Sequence, residues 1–280
     1  MSAANGTVPV IELANVTMDF GTVKALERVS MSVAPGEVVG LVGDNGAGKS
    51  TLVKVITGYH SPTSGRLTFD GREVRFNSPA AARALGIEMV YQDLAIVNEL
   101  SMWRNFFLGK EIRRRIGPFA ILKTNEMRHI CFSELQAIGL TGLRSANEPA
   151  SVLSGGERQS LAICRAVHFG ARLLLLDEPT AALSVRETQS VFRAVDAARK
   201  RGLGVIYIDH NLAHVHPIAD RIVFLEHGRI HAVLRPMETT LQELVELVAR
   251  RPPAAGPPTG EPVGTRGPIA EPAESITEAS

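Results

Sequence analysis

The chain has 280 residues, of which 45% are apolar and 21% charged, an ordinary globular composition that excludes a fibrous or low-complexity protein. Its 30 Lys and Arg against 29 Asp and Glu leave no basic field, which excludes counterion-driven nucleic-acid binding as the basis of function. Two cysteines, Cys131 and Cys164, are too few for a disulfide framework or a four-thiolate zinc site; they read as small buried apolar residues in a reduced, cytosolic chain.

Residues 1–8 are small and polar and read as a flexible lead-in, without the basic stretch and apolar run of a secretory signal. Val10 to Val16 and Ser30 to Val33 read as short strands, the second followed by the turn pair Pro35-Gly36. Glu37 to Val42 is a compact apolar run suited to a buried strand. Behind it stands Gly43-Asp44-Asn45-Gly46-Ala47-Gly48-Lys49-Ser50, with Thr51 next. Glycines at this spacing let main-chain N–H groups turn inward around phosphate, and a helix opening at Lys49 aims its positive end at the same point. Lys49 supplies a point charge for the outer phosphates, and the Ser50 hydroxyl is a ligand for Mg²⁺. The helix is predicted over Lys49 to Thr57, with Gly58 as its stop.

Residues from about 94 to 153 show helical patterns, such as Met127 to Ile138, and no clear strand, so they read as a helical insert. Trp103, Phe106 and Phe107 fall there, either as exposed anchors for a partner or as the insert's own core. Then comes Leu153-Ser154-Gly155-Gly156-Glu157. Ser154 suits a helix N-cap and the two glycines bare main-chain donors, which makes a second anion-binding tip. Leu173 to Leu176 is a fully apolar run, as expected of a central parallel strand, and it ends in Asp177-Glu178. Ligands of open α/β sheets sit beyond such strand ends, so Asp177 is placed to face the metal and Glu178 to orient or deprotonate a water. Ser184 with Glu187, and Thr240 with Glu243, carry the capping-box spacing of two further helices; Leu241, Leu244, Val245 and Val248 form the stripe of the second. Val205 to Ile208 reads as another buried strand, followed by His210. His214 and His216 lie close by without further residues to complete a zinc set. Residues 252–280 hold seven of the sixteen prolines, four Glu and one Arg, and read as a disordered tail.

Two anion-binding tips in one chain are more than one nucleotide needs. With the Leu-Ser-Gly-Gly-Glu segment, residues of about 10–250 closely resemble the ATP-binding cassette family. The resemblance implies an α/β fold: a phosphate-loop core with a parallel sheet, an N-terminal antiparallel β subdomain and an inserted helical subdomain, spanning residues 9–251. It implies a head-to-tail dimer of cassettes in which Ser154, Gly155, Gly156 and Glu157 contact the γ-phosphate of ATP held by the other subunit. It further implies that Gln92 reaches Mg²⁺ and the attacking water, that His210 hydrogen-bonds the γ-phosphate, and that Phe20 stacks on adenine; by its residue type alone Phe20 fits a core position equally. Two positions depart from the family pattern: Ser184 where Asp is frequent, and Asp209 where Ser is common. The second sets a carboxylate near the γ-phosphate unless it turns away or pairs. The segments Tyr91-Gln92-Asp93-Leu94-Ala95 and Asn105 to Glu111, with the stretch from Asp209 to Arg221, resemble the ATPases of bacterial monosaccharide importers. That likeness implies a separate multi-span permease, a periplasmic sugar-binding protein reached only through it, and a peripheral position on the cytoplasmic face of the membrane. The competing expectation is a cassette ATPase for an amino acid, lipid or polysaccharide; a DNA-associated cassette would carry a long coiled coil between its ATP motifs, and no sustained heptads occur here.

Overall fold

A computed structural model of the chain describes residues 7–140 and 142–249, with side chains through Glu246. The proline-rich stretch 252–280, residues 1–6 and the side chain of Val248 lie outside this description. The chain opens with β1 (Ile11–Phe20), β2 (Val23–Val33) and β3 (Val38–Val42), then α1 (Lys49–Ile56), β4 (Ser64–Phe69), β5 (Arg72–Val74), α2 (Pro79–Ala84) and β6 (Ile87–Val90). There follow α3 (Met102–Phe107), β7 (Arg113–Ile116), β8 (Phe119–Leu122), α4 (Thr124–Ala137) and α5 (Gly155–His168). The last part holds β9 (Leu173–Asp177), α6 (Val185–Lys200), β10 (Gly204–Ile208), α7 (Leu212–Val215), β11 (Arg221–Glu226), β12 (Arg229–Leu234) and α8 (Leu241–Ala249).

A central sheet runs in the order β12-β11-β3-β10-β9-β6, parallel except for the edge pair β11 and β12. An antiparallel sheet in the order β2-β1-β4-β5 covers it on one side. The four leucines of β9 show why the run is unbroken. Leu174 and Leu176 pack into one buried cluster with α4, α5 and α6; Leu173 and Leu175 pack into the other, with α1 and the antiparallel sheet. A strand covered on both faces has no position for a polar residue until it leaves the core, at Asp177. The α/β class expected from the sequence is therefore the class observed.

For the insert, one expectation needs correction and one open alternative is decided. It contains a two-stranded hairpin, β7 with β8, turned at Gly117 and Pro118. All eight of its strand residues are exposed, so no alternation of buried and exposed positions marked it in the sequence. Trp103, Phe106 and Phe107 are not exposed anchors: they are 5%, 0% and 1% accessible and close the small core of the insert with Met127, Cys131 and Leu135. Burial also pushes the Cys131 thiol up to about 12, so it stays protonated and inert.

A buried ion cluster fixes α6 to the start of β3. Arg199 lies 3.2 Å from Asp220 and 3.0 Å from Asp196, and Asp220 accepts the Val38 N–H at 2.8 Å. Removing the guanidinium takes a buried cation from both Asp220 and Asp196. Arg199→Ala is expected to lower unfolding stability by about 3–5 kcal/mol, read from the urea midpoint; a midpoint close to that of the unchanged protein would show that the cluster carries no such weight.

Candidate functional site

The phosphate loop lies between β3 and α1, at the carboxyl end of the parallel strands. Gly48 precedes α1 with φ 105°, and a Cβ there would stand 2.8 Å from the Ala25 carbonyl, so glycine is required by both conformation and space. The loop is braced from outside: Gly228, in the turn between β11 and β12, donates its N–H to the Ala47 carbonyl at 2.9 Å, and its own carbonyl accepts from Glu27. Lys49 Nζ donates to the carbonyls of Gly43 at 2.6 Å and Asp44 at 3.0 Å, folded along its own loop.

A cavity of about 430 Å³ is lined by Asp44 through Thr51 together with Asp177 and Glu178. Gly43 is buried beneath it. Asp177 ends β9 half-buried; desolvation raises its carboxyl pKa, neighbouring Glu178 raises it further, and Lys49 pulls it down. Its carboxylate makes no hydrogen bond or ion pair to another side chain among the described residues. A half-buried carboxylate of this kind, beside the exposed Ser50 hydroxyl, has the hard-oxygen chemistry that a divalent cation relieves.

Glu178 sits in the left-handed region, φ 45°, with its N–H on the Ile208 carbonyl at 2.9 Å. A non-glycine residue held there stores about 1–3 kcal/mol of strain, common where a side chain must be aimed. Its Oε1 lies 2.8 Å from His210 Nδ1. Asp209 resolves the concern raised by its charge. It is buried, accepts the Asn211 N–H at 2.9 Å and faces His214 Nδ1 at 3.0 Å. Its carboxylate is thus taken up inside the turn after β10. Of the three histidines, His210 meets Glu178 and lies 3.6 Å from Asp209, His214 meets Asp209, and His216 meets the Thr239 carbonyl.

Gln92 is exposed and lies on an adjoining cavity of about 300 Å³ that it shares with Glu178, Gly155 and Arg158. Phe20, at the end of β1, is 45% exposed with its ring 5.2 Å from His60, so it is not a core residue. The second anion tip is the start of α5. Ser154 caps it, accepting the Glu157 N–H, while Glu157 returns to the Ser154 N–H at 2.8 Å. Lys49, Ser50, Thr51, Asp177 and Glu178 therefore meet in one place, with His210 in contact and Gln92 next door. Ser154 and Glu157 line neither cavity, and Gly155 reaches only the second. The brace at Gly228 and the pairing of Asp209 with His214 were missed; the first joins residues remote in sequence and had no local signal.

Comparison with known proteins fits this geometry. The family model of the ABC transporter domain matches residues 26–181. The chain is similar to the xylose/arabinose import ATP-binding protein of Sulfolobus acidocaldarius, 44% identical over 85% of this chain and 93% of that protein. It is similar to the fructose import ATP-binding protein of Rhizobium meliloti, 38% identical over 88% of this chain and 96% of that protein. The ribose import ATP-binding protein of Burkholderia cenocepacia is 34% identical over 90% of this chain, which spans 48% of that longer protein. Among solved structures, an ATP-binding cassette of an ABC transporter in its ADP conformation superposes with TM-score 0.72 at 26% identity, covering 87% of this chain and 99% of that one. A cassette solved as a dimer in a post-hydrolysis state, bound to ADP and Pi, superposes with TM-score 0.63 at 25% identity, covering 81% and 98%.

Proposed function

This chain belongs to the ABC transporter family, and from that premise we propose that it is the ATPase subunit of an importer that carries a monosaccharide through a separate membrane permease. The observation that carries the catalytic part is the meeting of Lys49, Asp177, Glu178 and His210 at the carboxyl end of one parallel sheet. ATP lies with its phosphates in the loop from Gly43 to Thr51, its adenine against the exposed ring of Phe20. Ser50 and Asp177, with Gln92 reaching in from the adjoining cavity, would hold Mg²⁺, which would supply charge neutralisation for the phosphates. Glu178, fixed by its strained backbone and by His210, orients the attacking water and accepts its proton. The tip from Ser154 to Glu157 does not line the cavity of its own phosphate loop, which supports its use on the ATP of a second cassette.

Among the described residues no helix is long and apolar enough to cross a membrane; the import names of the relatives support a translocation path formed by other chains: a permease, served from outside by a sugar-binding protein. The cassette then works peripherally at the cytoplasmic face. The relatives' names, xylose/arabinose, fructose and ribose import, support a sugar cargo. The test is reconstitution with its permease and binding protein, followed by phosphate release in the presence of pentoses, fructose, amino acids or lipid. Stimulation by a monosaccharide is expected. Stimulation by amino acid or lipid alone would move the chain to another importer class, and stimulation by DNA would overturn the transporter assignment.

A further inference from the structure

One carboxylate outside the phosphate-binding set joins two parts of this molecule. Glu187 stands in the first turn of α6. Its Oε2 accepts the Ser184 N–H at 3.0 Å and the Ser184 hydroxyl at 2.8 Å. Its Oε1 accepts the Gly155 N–H at 2.9 Å, from the tip of α5. The main chain follows the same contact. A Cβ on Gly156 would lie 2.3 Å from the Glu187 carbonyl oxygen, so this glycine lets the start of α6 rest against the tip.

The tip is therefore already supplied with anions. Glu157 holds the Ser154 N–H, and Glu187 holds the Gly155 N–H. Main-chain donors at a helix start favour negative charge, and a phosphate reaching Gly155 meets a carboxylate on the donor it needs. On its other side Glu187 closes a short segment that begins at Glu178. Glu178 and Ala182 both hold left-handed backbone, Thr180 is anchored on the Tyr207 hydroxyl at 2.8 Å, and Ser184 ends the segment on Glu187. The hydroxyl at 184 fits this arrangement because it donates to Glu187; an aspartate there would set a second carboxylate against it.

We propose that Glu187 is a positioning residue that stands in for the facing subunit's γ-phosphate on the Gly155 N–H, gives up that donor when two cassettes close on ATP, and so couples closure to the segment carrying Glu178. The inference rests on the reading that the α5 tip meets ATP of a second cassette. Glu187→Gln keeps the size of the side chain and its cap on Ser184 but removes the charge that opposes the phosphate.

Two measurements separate the possibilities. In a Glu178→Gln background, the ATP concentration for half-maximal dimer formation is expected to fall about threefold or more on adding Glu187→Gln, the modest size expected of a half-exposed charge that solvent and salt still screen. With Glu178 intact, Glu187→Gln is expected to lower both KM for ATP and kcat, because closure is eased while its report to Glu178 is weakened. A carboxylate that merely caps two helices gives the opposite sign, an unchanged or higher KM with a lower melting temperature, and that result would overturn the proposal. Dimers that form equally well with Glu and Gln at 187 would also overturn it, whereas no ATP-driven dimer in either protein would instead remove the two-cassette reading beneath it.

Discussion

Lys49→Ala is expected to weaken ATP binding about 10²-fold, the cost of losing charge-assisted contacts to phosphate in a loop that otherwise offers main-chain dipoles and neutral side chains such as Ser50 and Thr51. The fold should survive the change. Among the described residues the Lys49 ammonium donates only to the Gly43 and Asp44 carbonyls of its own loop, and the loop's shape is set by Gly48 and by the Gly228 brace on Ala47. Titration with a fluorescent ATP analogue, beside a melting curve, checks both halves. Undiminished affinity in a folded protein would show that the loop holds phosphate without its cation.

Glu178→Gln separates binding from chemistry. The substitution keeps the shape of a side chain that lines the phosphate cavity beside Asp177, while removing its capacity to take a proton. Turnover is expected to fall about 10²-fold or more, with ATP affinity retained or improved because a negative charge has left the cavity. Phosphate release and equilibrium nucleotide binding on the same preparation measure the two effects. Near-normal turnover would remove Glu178 from the role and point to its neighbours His210 and Gln92.

What was legible in the sequence was local. The phosphate loop, the leucine run ending at Asp177, the N-cap at Ser154 and the capping boxes at Ser184 and Thr240 are each complete within a few residues, and each has the geometry its spacing implied. Strand ends were less legible where the backbone departs from regular pleating. β1 was read only to Val16, yet it continues to Phe20 past register shifts around Asn15, whose φ is 51°; β2 begins at Val23 rather than Ser30, with Arg28 at φ 50°. Such irregularities break the alternation that identifies a strand. Residues joined only by the fold gave no signal at all. Glu187 was visible as the cap of one helix, but its second task depends on α5 arriving beside it. Asp209 looked like an unwelcome charge until the following turn placed His214 against it. The aromatic residues of α3 could be sorted between partner contact and core only once α4 and α5 were seen to cover them.

The central claim is that two cassettes enclose ATP between the Lys49 loop of one and the Ser154–Glu157 tip of the other. Small-angle scattering of the Glu178→Gln protein, with and without ATP and magnesium, tests it most directly. The account predicts that the particle mass doubles when nucleotide and metal are added together, and that the doubling is lost when Lys49→Ala is introduced as well. A particle that binds ATP with magnesium yet keeps the mass of a single chain across the concentration range would contradict it.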